Sequence, residues 1–127
     1  MATSDEARFE RLLDQASDAA FILDPLEDRI LAANEAGCAM LGYTLEELLE
    51  TPVSEIHPGE LPQLQDFVGE VLREGHGSTI TLTCRTRSGQ YLPTEMTLWA
   101  FVGDGPRVYV LALIRDRSEH RARARGE

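Results

Sequence analysis

The first apolar positions along the chain fall three and four residues apart. Phe9, Leu12, Leu13 and Ala16 occupy i, i+3, i+4 and i+7, one stripe of an α-helix. Thr3 and Glu6 have capping-box spacing at its start. A lone stripe must be buried against something. Two short apolar runs follow, "AAFILD" and "RILAAN", joined by "PLED", where Asp24-Pro25 signals a turn. They read as a pair of strands. Asn34 can cap a helix over Glu35–Leu41, with Ala36, Ala39 and Met40 on its buried side and Gly42 ending it. Thr44 and Glu47 form a second capping box and start a short helix through Leu49, closed by Thr51-Pro52. After a loop, "IHPGE", the residues Leu61, Leu64, Phe67/Val68 and Val71/Leu72 repeat at helical spacing until Gly75.

From there the period changes to two. Ile80, Leu82 and Cys84 share one face of a strand, and Thr79, Thr81, Thr83 and Arg85 the other. Ser88-Gly89 is a hairpin turn. On the next strand Leu92, Thr94, Met96, Leu98 and Ala100 alternate with Tyr91, Glu95, Thr97, Trp99 and Phe101. "GDGP" turns the chain again, and "RVYVLALIRD" is apolar on both faces. Such a strand needs cover on both sides. The order is helix, two strands, three helical pieces and three antiparallel strands. It predicts an α+β domain, one antiparallel sheet with helices on one side.

Composition narrows the picture. With 127 residues, 43% of them hydrophobic, the chain suits one domain with a real core. The net charge is −10, with 19 acids against 7 arginines up to Ile114 and 5 arginines against 3 acids beyond. An acidic body repels phosphate backbones, so no nucleic-acid partner is expected. No apolar run approaches the roughly 20 residues of a membrane span, and the acidic N-terminus lacks the layout of a signal peptide. A cytoplasmic location and no membrane insertion are the expectations. The ending "RARARGE" suggests a chain cut from a longer protein. Cys38 and Cys84 read as two reduced, buried thiols, without the spacing of a disulfide framework or a metal site. Cys38 lies mid-helix beside Glu35, Gly37 and Ala39, with no basic neighbour to lower its pKa.

Three stretches together resemble the PAS domain, the sensory module of bacterial histidine kinases and transcriptional regulators. They are "ILAANEAGCAMLGYTLEELLETPVSEIHP", "RTRSGQYLPTEMTLW" and "LIRDRSEHR", and the likeness runs from about Ser17 to Arg121. It departs at Arg117, where the family usually has an aliphatic residue. The resemblance implies a five-stranded antiparallel sheet in the order 2-1-5-4-3 with the helices over its concave face. It divides the chain into an N-terminal flanking helix (1–16), a PAS domain (17–117) and the start of a signalling helix or linker (118–127). It further implies ligand or partner binding, homodimerisation, and fusion to a kinase or DNA-binding output in two-component signalling.

The expected pocket lies between sheet and helices. Ile22, Met40, Leu41, Ile56, Phe67, Val71, Leu82, Thr94, Met96 and Leu98 are its candidates, with Ala36, Val53, Ile80 and Leu113 beside them. Thr94 stands out because a buried hydroxyl needs a partner: a ligand, a water or the backbone. The light-sensing branch of the family carries its reactive cysteine after the "EEL" helix, where this chain reads "ETPVSEIHP". The haem-binding branch carries a histidine in the long helix, where this chain has none; His57 precedes it and His76 follows. Neither flavin nor haem is therefore expected, and the protein should be colourless. The expected dimer contact uses Phe9, Leu12 and Leu13 with Tyr91, Trp99 and Phe101. Signal output is expected at Asp116, with Ser118 capping a helix that begins at Glu119. Catalysis has no good constellation. Glu46 and Glu47 do not converge, and no nucleophile or Gly-rich loop accompanies His57 and Asp66. Two alternatives stay open: a ligand-free PAS interaction domain, and a small α+β enzyme using Tyr43, His57 or Glu70 for acid–base work.

Overall fold

The computed structural model describes residues 4–118 of the protein. The cap expected at Thr3 and the helix expected from Glu119 lie outside the described residues. In chain order the elements are α1 (Ser4–Gln15), β1 (Ala19–Asp24), β2 (Arg29–Ala33), α2 (Glu35–Leu41), α3 (Leu45–Leu49), α4 (Val53–Ile56), α5 (Leu61–Glu74), β3 (His76–Thr79), β4 (Thr83–Arg85), β5 (Tyr91–Val102) and β6 (Val108–Asp116). All strand pairings are antiparallel, in the order β2-β1-β6-β5-β3, and β4 also pairs with β5. Counting β3 and β4 as two halves of one strand recovers the 2-1-5-4-3 order.

That strand is split for a local reason. Thr79 faces Met96 and Thr83 faces Pro93, so three residues here span two on β5. The extra residue acts as a bulge and turns Ile80 out to solvent at 56% exposure. Ile80 is thus no pocket residue. A second irregularity lies between β1 and β2. Ile22 faces Ala32 but Leu23 faces Ile30, which leaves Leu31 as the extra residue.

Two hydrophobic clusters lie on opposite faces of the sheet. On the inner face, Phe21, Ile30, Met96, Leu98, Val110 and Ala112 pack with Leu41, Leu48, Phe67 and Val71 of the helices. On the outer face, Ala20, Ile22 and Tyr109 pack with Phe9 and Leu13 of α1. Ile22 pairs with Leu111, and both, like Leu113, belong to the outer face. The expectation that Ile22 and Leu113 line an inner pocket is therefore corrected. Five apolar residues in a row, Ala19 to Leu23, carry no alternation to reveal which ones point inward.

The short helices are fixed by caps. The Asn34 carboxamide oxygen accepts the Gly37 N–H at 2.8 Å and the Ala20 N–H at 3.0 Å, and its Nδ2 donates to the Asp18 carbonyl at 2.9 Å. One side chain thus caps α2 and ties it to β1. Gly42 ends α2 at φ 80°. Gly37 faces the sheet so closely that a Cβ there would sit 2.9 Å from the Phe21 ring. The buried side of α2 is consequently Gly37 and Leu41; Ala36 and Ala39, expected there, are exposed. The Thr44–Glu47 capping box forms as expected. α4 is a further helical turn that the residue spacing does not predict.

α1 lies on the outer face of its own sheet. The Asp5 carboxylate accepts the Asp104 N–H and the Tyr109 O–H, each at 2.8 Å, and Arg8 donates to the Val102 carbonyl at 2.8 Å. The Asp104 N–H and then the Tyr109 hydroxyl hold the Asp5 carboxyl below its usual pKa. Phe9 meets Tyr109 and Phe101 edge-on, with ring centroids 5.0 and 6.1 Å apart. Burying each such side chain contributes about 1.5–3 kcal/mol. Phe9 and Leu13 are therefore used within the chain, and while α1 stays docked they are not free for a dimer contact. Trp99 (40% exposed) and Tyr91 (58%) remain open.

Asn34→Ala should destabilise the fold by about 2–4 kcal/mol, since it removes a cap and two further hydrogen bonds. Urea unfolding checks this. A loss under about 0.5 kcal/mol would show that α2 does not depend on Asn34.

Candidate functional site

The turn "DPLED" is held at both ends by aspartate side chains. Asp24 Oδ1 accepts the N–H groups of Leu26 and Glu27 at 3.1 and 3.2 Å, the local bonding that favours Asp at turn starts. Asp28 adopts φ 54°, a left-handed conformation that Asp tolerates better than most residues. From there its carboxylate accepts the Ser54 N–H at 3.0 Å and the Ser54 hydroxyl at 2.6 Å, and its carbonyl accepts the Val53 N–H at 3.2 Å. Asp28 thus caps α4 from across the fold.

This tie holds two walls of a groove. Leu23, Pro25 and Leu26 form one wall; Val53, Ser54, Leu61, Leu64, Gln65 and Val68 form the other; Val110 is the floor. The groove encloses about 500 Å³, within the range of small-molecule sites. A second, smaller space of about 30 Å³ lies deeper, bounded by Phe21, Ile30, Leu41, Ile56, His57, Cys84, Ala112 and Ile114. Leu23 and Val53 line both spaces. They form the partition between groove and interior.

The expected pocket residues divide accordingly. Leu41 and Ile56 line the interior space. Phe67, Val71, Leu82, Met96 and Leu98 are buried core, and Met40 packs half-buried against them. None of them lines the groove. The Thr94 hydroxyl donates to the Leu82 carbonyl at 2.7 Å, so the backbone, one of its three possible partners, satisfies it. The groove escaped the sequence reading because half of it is a turn. A leucine inside the turn "PLED" was the available signal; in the structure it is 85% exposed.

His57 is buried, and its Nδ1 lies 2.6 Å from the Thr83 carbonyl, to which the ring N–H donates. Glu60 accepts the Thr83 N–H at 3.0 Å and the Thr83 hydroxyl at 3.1 Å, and lies 3.8 Å from His57 Nδ1. Together they pin the start of β4 to the loop before α5. Burial lowers the His57 pKa, against the opposing pull of the Thr83 carbonyl, Glu60 and Asp28. Tyr43 and Glu70, the other acid–base candidates, do not line the interior space, and Glu70 is exposed. Burial raises the Cys38 thiol and pushes that of Cys84 up to about 12. Neither is a thiolate near neutral pH. Among the described residues no group of three His, Cys, Asp or Glu side chains could hold a metal ion.

At the end of β6, Asp116 Oδ1 accepts the Ser118 N–H at 2.8 Å, and the Arg117 N–H donates to the Pro93 carbonyl at 2.8 Å. Glu119 lies outside the described residues.

Residues 17–119 match the PAS domain family model, and the chain belongs to the PAS domain family. PAS domains are sensory modules. No curated protein matches the sequence. Among similar solved structures, a PAS domain from a two-component sensor histidine kinase is 22% identical at a TM-score of 0.70, covering 89% of this chain and 99% of that one. The LOV protein of Rhodobacter sphaeroides is 21% identical at 0.74, over 98% and 74%. A light-oxygen-voltage domain described with a flavin analogue is 24% identical at 0.70, over 92% and 90%. These last two correct the cofactor expectation. A chain of this fold is not shown to lack flavin by a missing cysteine after the "EEL" helix.

Because the His57 pKa is lowered in the fold, protonation favours the unfolded chain. The stability His57 contributes is complete above its ordinary value of 6.5 and is lost as the pH falls below it. His57→Gln should lose less stability than wild type between about pH 7.5 and about pH 5.5 in urea unfolding. Equal losses would show that His57 does not titrate with folding.

Proposed function

We propose that the chain is the cytoplasmic sensing domain of a signal-transduction protein, and that it binds a small, largely apolar ligand in the groove between the β1–β2 turn and α4–α5. It acts by binding, not by catalysis. The observation that supports this most is the position of Val110. It floors the groove on β6, and the same strand ends at Asp116. A ligand pressing on Val110, or displacing Leu23 and Val53 toward the interior, acts on the strand that leads to the output side. A kinase or DNA-binding region joined after Ser118 would receive that movement. The described similarity to a histidine-kinase PAS domain and to light-oxygen-voltage domains fits this reading, and flavin belongs among the ligands to be offered.

A second reading, a PAS domain that works through protein contacts alone, is favoured by the interior. Its small space of about 30 Å³ admits about one water. Native mass spectrometry separates the two. The purified chain, alone and with the neutral flavin riboflavin added, should carry a bound small molecule that Val68→Trp abolishes. Absence of any adduct would leave the contact-only reading.

The open part of the outer face, around Trp99 and Tyr91, is the proposed homodimer contact, with Leu12, half-buried on α1, and Phe101 at its edge. Trp99→Glu should convert a dimer to a monomer by light scattering. A wild type already monomeric at micromolar concentration contradicts it. For output, Asp116→Ala in a fusion to a reporter kinase should change kinase activity while leaving the melting temperature within about 3 °C. Unchanged activity in every helical register of the fusion removes Asp116 from the output path.

A further inference from the structure

We infer that the ligand of the groove is an apolar molecule carrying a positive charge, such as an aryl- or alkylamine, and that anions are rejected. The inference rests on the proposed ligand site. The apolar body has its place: Leu61, Leu64, Val68 and Val110 line the groove, and Leu26 overhangs the rim. The charge follows from what else lines it. Among the described residues the only charged side chains lining the groove are Asp24 and Asp28. No arginine lines it. Arg29, next in sequence, lines the neighbouring cleft with Glu27 and Glu50 instead.

An anion would need donors; the neutral Gln65 carboxamide lines the groove, but the N–H groups of the turn and of Ser54 are taken. The free N–H groups at the start of a helix ordinarily attract anions. Here the Ser54 N–H at the start of α4 is bonded to Asp28, and so is the Ser54 hydroxyl. The turn N–H groups of Leu26 and Glu27 are bonded to Asp24. These bonds hold the two carboxylates in place without cancelling their charge. The chain's formal charge of −10 adds a field that disfavours anions and draws cations. A phosphate- or carboxylate-bearing ligand in this groove meets two fixed negative charges and no cation. An ammonium on the same skeleton meets two acceptors with lone pairs to spare.

Three probes with one skeleton test this: 4-phenylbutylamine, 4-phenylbutan-1-ol and 4-phenylbutyrate. Each is titrated into the isotopically labelled chain at low salt, and the amide signals of Leu26, Ser54, Gln65 and Val110 are followed by NMR. The amine should bind at least about tenfold tighter than the carboxylate, and the gap should narrow near 1 M salt. Asp24→Asn, which keeps the turn's acceptor, should reduce the gap; Asp28→Asn should do the same if Asp24→Asn perturbs folding. If alcohol and carboxylate match the amine at these amides, the groove is a ligand site but the charge inference is wrong. If none of the three moves these amides, neither the charge inference nor the ligand site stands. Amine shifts confined to other surfaces also overturn the inference.

Discussion

The fold depends on β6 being buried on both faces. Val110, Ala112 and Ile114 point to the inner core, while Tyr109, Leu111 and Leu113 point to the outer one. A strand with two apolar faces cannot rest on one layer of helices. The four helices α2 to α5 cover one side, and α1 covers the other. Neither cover is optional, and both meet at the strand flanked by β1 and β5. That arrangement places β6 in both hydrophobic clusters at once. It also gives β6 a neighbour at every point where a ligand, a partner or a following segment could act.

Around that centre the chain is fastened by single polar side chains that each serve two elements. Asn34 caps α2 and bonds β1. Asp28 shapes a turn and caps α4. Glu60 holds β4 beside buried His57. Asp5 fastens α1 to Asp104 and Tyr109. Each fastening replaces a backbone N–H's bond to water with one inside the fold, which offsets the desolvation of that group. The groove sits where two of these fastened pieces, the β1–β2 turn and α4, face one another over Val110. Its two walls are thus tied to each other by the Asp28–Ser54 bonds.

Much of this was legible in the residues, and the failures have a common cause. The helix caps at Asn34, Gly42 and Thr44 were readable because capping chemistry is local. The period-two run of β5 was readable because one of its faces is mostly polar, so Met96 and Leu98 could be told from Glu95 and Thr97. β1 defeated the same method. With Ala19 to Leu23 all apolar, nothing local said that Phe21, not Ile22, points inward; the presence of α1 on the far side decides it. The break after Thr79 was hidden because one extra residue reverses facing without any Gly or Pro to announce it, which is why Ile80 was misplaced. α2 was reversed because its closest approach to the sheet is made by a glycine. The groove combines a turn with two helix faces distant in sequence, so no short window contains it. The cofactor reading failed differently: a motif present in one branch of a family does not define what the shared fold can hold.

On the proposed function, occupancy of the groove at Val110 should be felt at the far end of β6. Amide hydrogen exchange at Arg117 and Ser118 measures it most directly, since their N–H groups donate to the Pro93 carbonyl and the Asp116 carboxylate at 2.8 Å each. The comparison is the free chain against the chain saturated with 4-phenylbutylamine. The exchange rate of one or both amides should change at least about threefold, with Asp104 and Gly89, at turns away from this path, unchanged. Slowed exchange at Leu26 and Ser54 with no change at Arg117 or Ser118 would show a ligand bound in the groove and no path from it to the output end, and would contradict the claim.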